Sequence, residues 1–313
     1  MKKFLLLIVL LTIPHYLLSN NEINFERIDS LVQAEMNYWE VPGCALAVVQ
    51  NGKPVLVKGY GTTKLNSDEK VTSGTIFSIA SSTKQFTGTL CALLQSEGVL
   101  SLDSPLKEIW KDFKHSDSYL ENNLTLRDLL LQRSGFPRHD IFWDNAPSTR
   151  KEAAERIRFL ETSGILRDKF EYSNLNYMLA GFAAGQAAGK SWEELVKEKI
   201  FEPLGMKSSH FSVSERDKFP GYAYPHIEYD SIEVMNFKSA DILGPAGCIR
   251  TNAEDISKWL LANLAGGYID GAQALPAEAL AEVRKPQIVT PFPPVSQEAS
   301  YNSYGLGIFV SNY

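Results

Sequence analysis

A serine hydroxyl attacks a carbonyl only if a base takes its proton, and a lysine one helical turn away can reach that proton. The spacing Ser-x-x-Lys occurs four times in the sequence: Ser67 to Lys70, Ser81 to Lys84, Ser104 to Lys107 and Ser148 to Lys151. Context separates them. Ser67-Asp68-Glu69-Lys70 is a charged turn, Pro105 interrupts the third, and Ser148 follows a polar loop as the cap of the next helix. Ser81 follows the largely apolar run Ile76 to Ala80 and opens an amphipathic stretch, so Lys84 falls one turn later on the same face. On spacing alone, a capping Ser81 with an exposed Lys84 explains the pattern equally well.

A second group of residues shifts that balance. Tyr172-Ser173-Asn174 is the only Tyr-x-Asn in the chain and lies just before a helical stretch. A loop carrying a phenol and an amide suits a site where Tyr172 exchanges protons with Lys84. The alternative is an ordinary turn with Asn174 capping the helix. Ala184 to Ser191 (AGQAAGKS) fits a loose phosphate-loop pattern, but an Ala-rich helix precedes it where a buried strand is required. Gly189 is expected to stop that helix, and Ser191 with Glu194 to form a capping box. His115, His139, His210 and His226 are scattered, and Cys44, Cys91 and Cys248 are widely spaced in apolar surroundings. Neither set describes a metal site or a disulfide framework, and the chemistry calls for no cofactor.

The elements that would hold these residues follow from periodicity. Residues 24 to 37 have helical spacing, and Cys44 to Val49 and Pro54 to Tyr60 are strands joined by a hairpin at Asn51-Gly52. Helices are expected at Ser81 to Glu97, ended by Gly98, and at Thr125 to Gln132, Lys151 to Leu160, Asn176 to Ala188, Trp192 to Ile200 and Ala253 to Ala265. Tyr304 to Val310 reads as a closing strand. Strands at both ends of a helical middle, about residues 80 to 230, predict an α+β fold whose terminal portions share one antiparallel sheet.

With these landmarks in place, the chain resembles the serine β-lactamase and penicillin-binding-protein superfamily, in particular its class C β-lactamase, D,D-peptidase and esterase-like branch. The resemblance rests on Phe77 to Thr87 (FSIASSTKQFT), Glu97 to Asp103 (EGVLSLD), Thr125 to Pro137 (TLRDLLLQRSGFP), Phe201 to Met206 (FEPLGM) and Gly244 to Trp259 (GPAGCIRTNAEDISKW). It covers about residues 24 to 313 and implies that Ser81 forms an acyl-enzyme. It further implies that Lys84 and Tyr172 handle protons and that Asn174 positions substrate and Lys84. One landmark of the family is missing. A Lys-Thr-Gly or His-x-Gly strand should follow Tyr304-Gly305-Leu306-Gly307, and no such triplet occurs. Because an open sheet edge invites aggregation, the sequence is expected to be cut from a longer reading frame, with C-terminal strands missing.

The remaining features set the context. A chain of 313 residues with 44% apolar residues can bury a large core, and a formal charge of -6 disfavours nucleic acid and anionic lipid as partners. Lys2, Lys3, the apolar run Phe4 to Leu18 and the polar residues after it read as a signal peptide over residues 1–19. That run is short for a membrane span and contains Pro14, so a periplasmic or secreted protein without a stable span is expected. The function expected is an exported serine acyl hydrolase acting on an amide or ester bond of a small molecule or peptide. The alternative is a non-catalytic, ligand-binding member of the same fold, inactive because the third motif is absent.

Overall fold

The computed structural model describes residues 23–139, 149–219, 221–293, 299 and 302–312. The proposed signal peptide, residues 1–19, lies outside them. The chain divides into a unit ending at Val41 and a second unit from Pro42 onwards. In the first, helix α1 (Phe25–Tyr38) starts at Asn24, whose side chain accepts from the Arg27 N–H at 2.8 Å.

The second unit opens with the expected hairpin. Strands β1 (Gly43–Gln50) and β2 (Lys53–Gly61) pair antiparallel, with a bulge at Val48/Val49. Asn51 (φ 51) and Gly52 (φ 71) both adopt the left-handed conformation that a two-residue turn of this twist demands. A short strand β3 (Phe77–Ser78) then leads through a 3-10 turn, Ala80–Ser82, into helix α2 (Thr83–Ser96). Helix α2 is buried almost all round, from Thr83 to Leu94, so it is the axis of the core rather than a surface helix. Gly98, at φ 72, stops the chain after it as expected.

Short helices follow: α3 (Leu106–Ile109), α4 (Ser118–Asn123), α5 (Leu126–Leu130) and α6 (Arg150–Arg156). Helix α7 (Asn174–Ala188) is the second core helix, largely buried from Leu175 to Gly185, and packs against α2, α3, α5 and α6; α8 (Trp192–Val196) and α9 (Glu202–Leu204) follow it. The phosphate-loop look-alike is the end of α7, a stop at Gly189 (φ 68) and the Ser191–Glu194 capping box. Small antiparallel pairs follow. Strand β4 (His226–Glu228) pairs with β5 (Ile232–Val234), β6 (Arg250–Thr251) with β3, and β7 (Tyr268–Ile269) with β8 (Ala272–Gln273). Helix α10 (Ala253–Leu264) packs across β1 and β2, and α11 (Ala277–Arg284) packs on α2.

The α+β composition is as expected, but two details of the sequence reading are corrected. Tyr304 to Val310 is not one strand. It is a turn between β10 (Asn302–Tyr304) and β11 (Phe309–Ser311), because Gly307 has φ 95 and reverses the chain. The chain ends also do not share a sheet among the described residues. Strand β10 is flanked on both edges, by β9 (Ile288–Val289) and β11, while β1 and β2 pair only with each other. The outer edges of β9 and β11 and those of β1 and β2 carry no partner strand among the described residues.

The turn at 305–308 has a positioning role. A Cβ on Gly88 would overlap the Leu306 carbonyl, and one on Gly307 would overlap the carbonyl of Lys84. The 302–311 hairpin therefore crosses α2 at backbone contact, directly over the turn that carries Lys84.

Two buried histidines make stability depend on pH. His210 is 3% exposed and stacks on Phe219; its Nδ1 donates to the Ser208 carbonyl (3.0 Å) and its Nε2 accepts from the Tyr222 hydroxyl. His115 accepts the Asp117 N–H at Nδ1 (3.0 Å) and donates from Nε2 to the Leu160 carbonyl (3.1 Å). Burial holds both imidazoles below their ordinary pKa, so folding favours the neutral rings. Their stabilisation is complete above the unfolded value of about 6.5 and is lost as pH falls through the depressed folded values. The thermal midpoint is expected to drop between pH 7 and pH 5. Replacing His210 by Gln should flatten that slope, whatever it does to absolute stability; an unchanged slope would count against this account.

Candidate active site

Ser81, Lys84, Tyr172 and Asn174, separated by up to 93 positions in sequence, meet at one point. Ser81 does not open the α-helix itself, as the spacing suggested, but sits in the 3-10 turn just before it. That turn is fixed from both sides. The Ile79 N–H donates to the Ile249 carbonyl (3.1 Å), the β3–β6 pairing holds the residues before it, and Ala80 takes φ 43. A non-glycine residue in the left-handed region is strained, and here it turns the next side chain outward. Ser81 is exposed, whereas Lys84 is 1% exposed.

The Lys84 side chain is satisfied in full. Its Nζ donates to Ser81 Oγ (3.0 Å), Asn174 Oδ1 (2.8 Å) and the Ala246 carbonyl (2.8 Å), matching the three donors of an ammonium. The rings of Tyr172 and Tyr177 lie 4.8 and 5.6 Å from the same nitrogen. Tyr172 completes the set by donating its hydroxyl to Ser81 Oγ at 2.8 Å. The Ser81 oxygen is thus bracketed by a phenol on one side and an amine on the other.

Each partner is delivered by its own element. Asn174 is the first residue of α7 and Ser173 its N-cap position, so Asn174 does not cap the helix. Tyr177 follows three residues later on the same helical face, which is why both address Lys84. The Ala246 carbonyl comes from a 3-10 turn, Gly244–Ala246, anchored to α2 by Thr87 Oγ1 donating to the Pro245 carbonyl (2.7 Å). Thr83 Oγ1 accepts the Ile249 N–H just beyond (3.1 Å). Sequence reasoning did not find Ala246, because a backbone carbonyl has no residue-type signature. The i, i+3 spacing to Asn174 could have found Tyr177. Arg138, with its guanidinium carbon 5.6 Å from the Tyr172 ring, was also not anticipated. Burial raises the hydroxyl pKa of Tyr177, and of Tyr304 beside it, so both phenols are held neutral behind the lysine.

The pattern of the Beta-lactamase family matches residues 28–313. The chain belongs to the beta-lactamase family. Curated relatives of this family member include the unguisins hydrolase ungD' of Aspergillus campestris, 29% identical over 248 residues, covering 75% of this chain and 46% of that protein. Protein flp of Staphylococcus aureus strain MW2 is 28% identical over 249 residues, covering 75% of this chain and 48% of that protein. The beta-lactamase-family chain thus spans about half the length of these curated relatives. Among solved structures it is similar to an octameric penicillin-binding protein homologue from Pyrococcus abyssi (TM-score 0.78, 25% identity, covering 92% of this chain and 65% of that one). It also shares its fold with the D-alanine carboxypeptidase AmpC from Burkholderia cenocepacia (TM-score 0.71, 20% identity, covering 90% of this chain and 72% of that one). Family membership relates the chain to serine hydrolases of the β-lactamase and penicillin-binding type. No group of three or more His, Cys, Asp or Glu side chains able to hold a metal occurs among the described residues. Nor is any helix among them long and apolar enough to cross a membrane.

Proposed function

We propose that the chain belongs to an exported serine acyl hydrolase in which Ser81 attacks an amide or ester carbonyl and forms a covalent acyl-enzyme. The observation that carries this reading is the placement of Ser81 Oγ between Tyr172 Oη at 2.8 Å and Lys84 Nζ at 3.0 Å. With Lys84 as the neutral amine, or Tyr172 as the phenolate beside its ammonium, the pair has one vacant site, which takes the Ser81 proton during attack and returns it to the departing amine or alcohol. A water molecule repeats the sequence on the ester and releases Ser81. Asn174 keeps Lys84 aimed at the reacting oxygen through its 2.8 Å hydrogen bond and presents its amide towards substrate. The N–H of Ser81, in the first turn before α2, is one donor to the oxyanion. The substrate is a small molecule or peptide, the reaction needs no cofactor, and residues 1–19 direct export. That one relative bears the name of a hydrolase supports this reading.

A second reading, a non-catalytic ligand-binding member of the fold, is favoured by one feature: all three Lys84 donors are engaged, on Ser81, Asn174 and the Ala246 carbonyl, as in a static hydrogen-bond network. Covalent labelling with a fluorescent penicillin or a fluorophosphonate separates the two. The expected result is a label on the wild-type protein that disappears in Ser81→Ala. Labelling that survives in Ser81→Ala would sink the nucleophile assignment, and no label on the wild type would favour the binding protein.

A further inference from the structure

The residues facing the site from the Tyr172 loop alternate with residues facing the opposite way, and the opposite face converges on one side chain. Gln132 is fully buried and has φ 57, a left-handed conformation that a residue with a Cβ adopts only when its surroundings impose it. Its carbonyl accepts the Glu171 N–H at 2.7 Å. Its side-chain Oε1 accepts the Ser173 N–H at 3.0 Å and Asn176 Nδ2 at 2.7 Å. Ser173 is extended (φ -138, ψ 128), so its neighbours point the other way, and those neighbours are Tyr172 and Asn174. The same platform holds the loop elsewhere: Ser173 Oγ donates to the Pro137 carbonyl (3.0 Å) and Ser134 Oγ to Asn176 Oδ1 (2.6 Å).

We infer that Gln132 is the positioning residue of this site: one buried side-chain oxygen fixes the backbone at Ser173 and the first turn of α7, and thereby sets Tyr172 and Asn174 against Ser81 and Lys84. This rests on the proposed acyl transfer at Ser81. Gln132 touches neither the reacting oxygen nor the lysine; it acts through the loop. Its Nε2 lies beside the Tyr304 hydroxyl. A misplacement of about 1 Å in a catalytic group can cost on the order of a hundredfold in rate.

The test compares Gln132→Met, which keeps length and loses the acceptor, with Gln132→Glu, which keeps an oxygen in the same place. The pseudo-first-order rate of fluorophosphonate labelling is followed from pH 5 to pH 10 at a temperature where each variant is folded. The expected result is a loss of about 10- to 100-fold in Gln132→Met, with an altered pH profile, and a rate within about 3-fold of wild type in Gln132→Glu. Equal rates in wild type and Gln132→Met, or equal losses in both variants, would overturn the inference, since packing alone would then explain the position. If Gln132→Met does not fold, Asn176→Asp removes one of the two donors to Oε1 and should slow labelling by a smaller factor; an unchanged rate again overturns it. Hydrogen exchange at Glu171 and Ser173 reads the clamp without any turnover: protection should fall in the variant, and protection that stays would refute the clamp even in a protein that never labels.

Discussion

Replacing Lys84 by alanine will cut the rate of covalent labelling at Ser81 by about three orders of magnitude, within the range that positioned acid–base groups contribute. Lys84 touches Ser81, Asn174 and the Ala246 turn at once, so its removal takes away a proton carrier and a spacer together. The carbonyl of Ala246, itself 1% exposed, would be left without this donor, and a shortened side chain would open a cavity beside Tyr172 and Tyr177. A structural loss and a chemical loss are therefore both expected, and a second variant separates them. Lys84→Met refills the cavity without a donor. Circular dichroism melting should show Lys84→Met closer to wild type than Lys84→Ala, while labelling stays low in both. Labelling of Lys84→Met at more than about a tenth of the wild-type rate would mean that Tyr172 alone handles the proton.

How much of this was readable beforehand depends on the kind of interaction. The Asn51-Gly52 hairpin and the Ser191–Glu194 capping box are local, with both partners within a few residues, and both form where the residue types place them. The four chemical residues were legible because Ser-x-x-Lys and Tyr-x-Asn are patterns of side-chain type. Sequence context sets Ser81 and Lys84 apart from the other three Ser-x-x-Lys pairs, and tertiary placement separates them further: Lys84 is buried at 1% exposure, whereas Lys151 has a 73% exposed side chain. What could not be read is what the backbone supplies. The Ala246 carbonyl and the reversal at Gly307 follow from chain paths fixed by distant contacts, Gly88 against Leu306 among them. Gln132 was visible inside the TLRDLLLQRSGFP segment but carried no chemistry of its own there. Its meaning appears only when Ser173, 41 positions away, is found to donate to it. The mistaken continuous strand over Tyr304 to Val310 has the same origin, since strand propensity outvoted two glycines whose close approach to α2 is a long-range fact.

Asp128→Ala is expected to be the most destabilising substitution of a charged side chain, by about 3 kcal/mol, at the lower end of what breaking a buried ion pair costs because its arginine partners reach water. The Asp128 carboxylate is fully buried. It accepts from Thr125 N–H (3.1 Å) and Oγ1 (2.8 Å) as part of the capping box of α5, from Arg133 Nε (2.7 Å) and from Arg167 (2.8 Å). Burial by itself would raise its pKa, but the hydrogen bonds from Arg167, Thr125 and Arg133 outweigh it and hold the carboxyl below its usual range. A lowered folded pKa means that this stabilisation is present above the unfolded value of about 3.9 and is lost as pH falls through the folded one. At neutral pH the alanine variant loses all of it, together with the half of the capping box in which Asp128 accepts the Thr125 N–H, while Thr125 Oγ1 still accepts the backbone N–H of residue 128. The arginines it releases are not remote from the chemistry. Arg133 follows Gln132 directly, and its carbonyl accepts the Arg167 N–H (2.8 Å), so the ion cluster braces the segment on which the Tyr172 loop rests. Urea titration should therefore show a lower midpoint for Asp128→Ala at pH 7, with the gap to wild type narrowing below about pH 4 as the wild-type carboxyl takes up its proton. A gap that stays constant down to pH 2 would show that the cost is lost packing rather than lost charge.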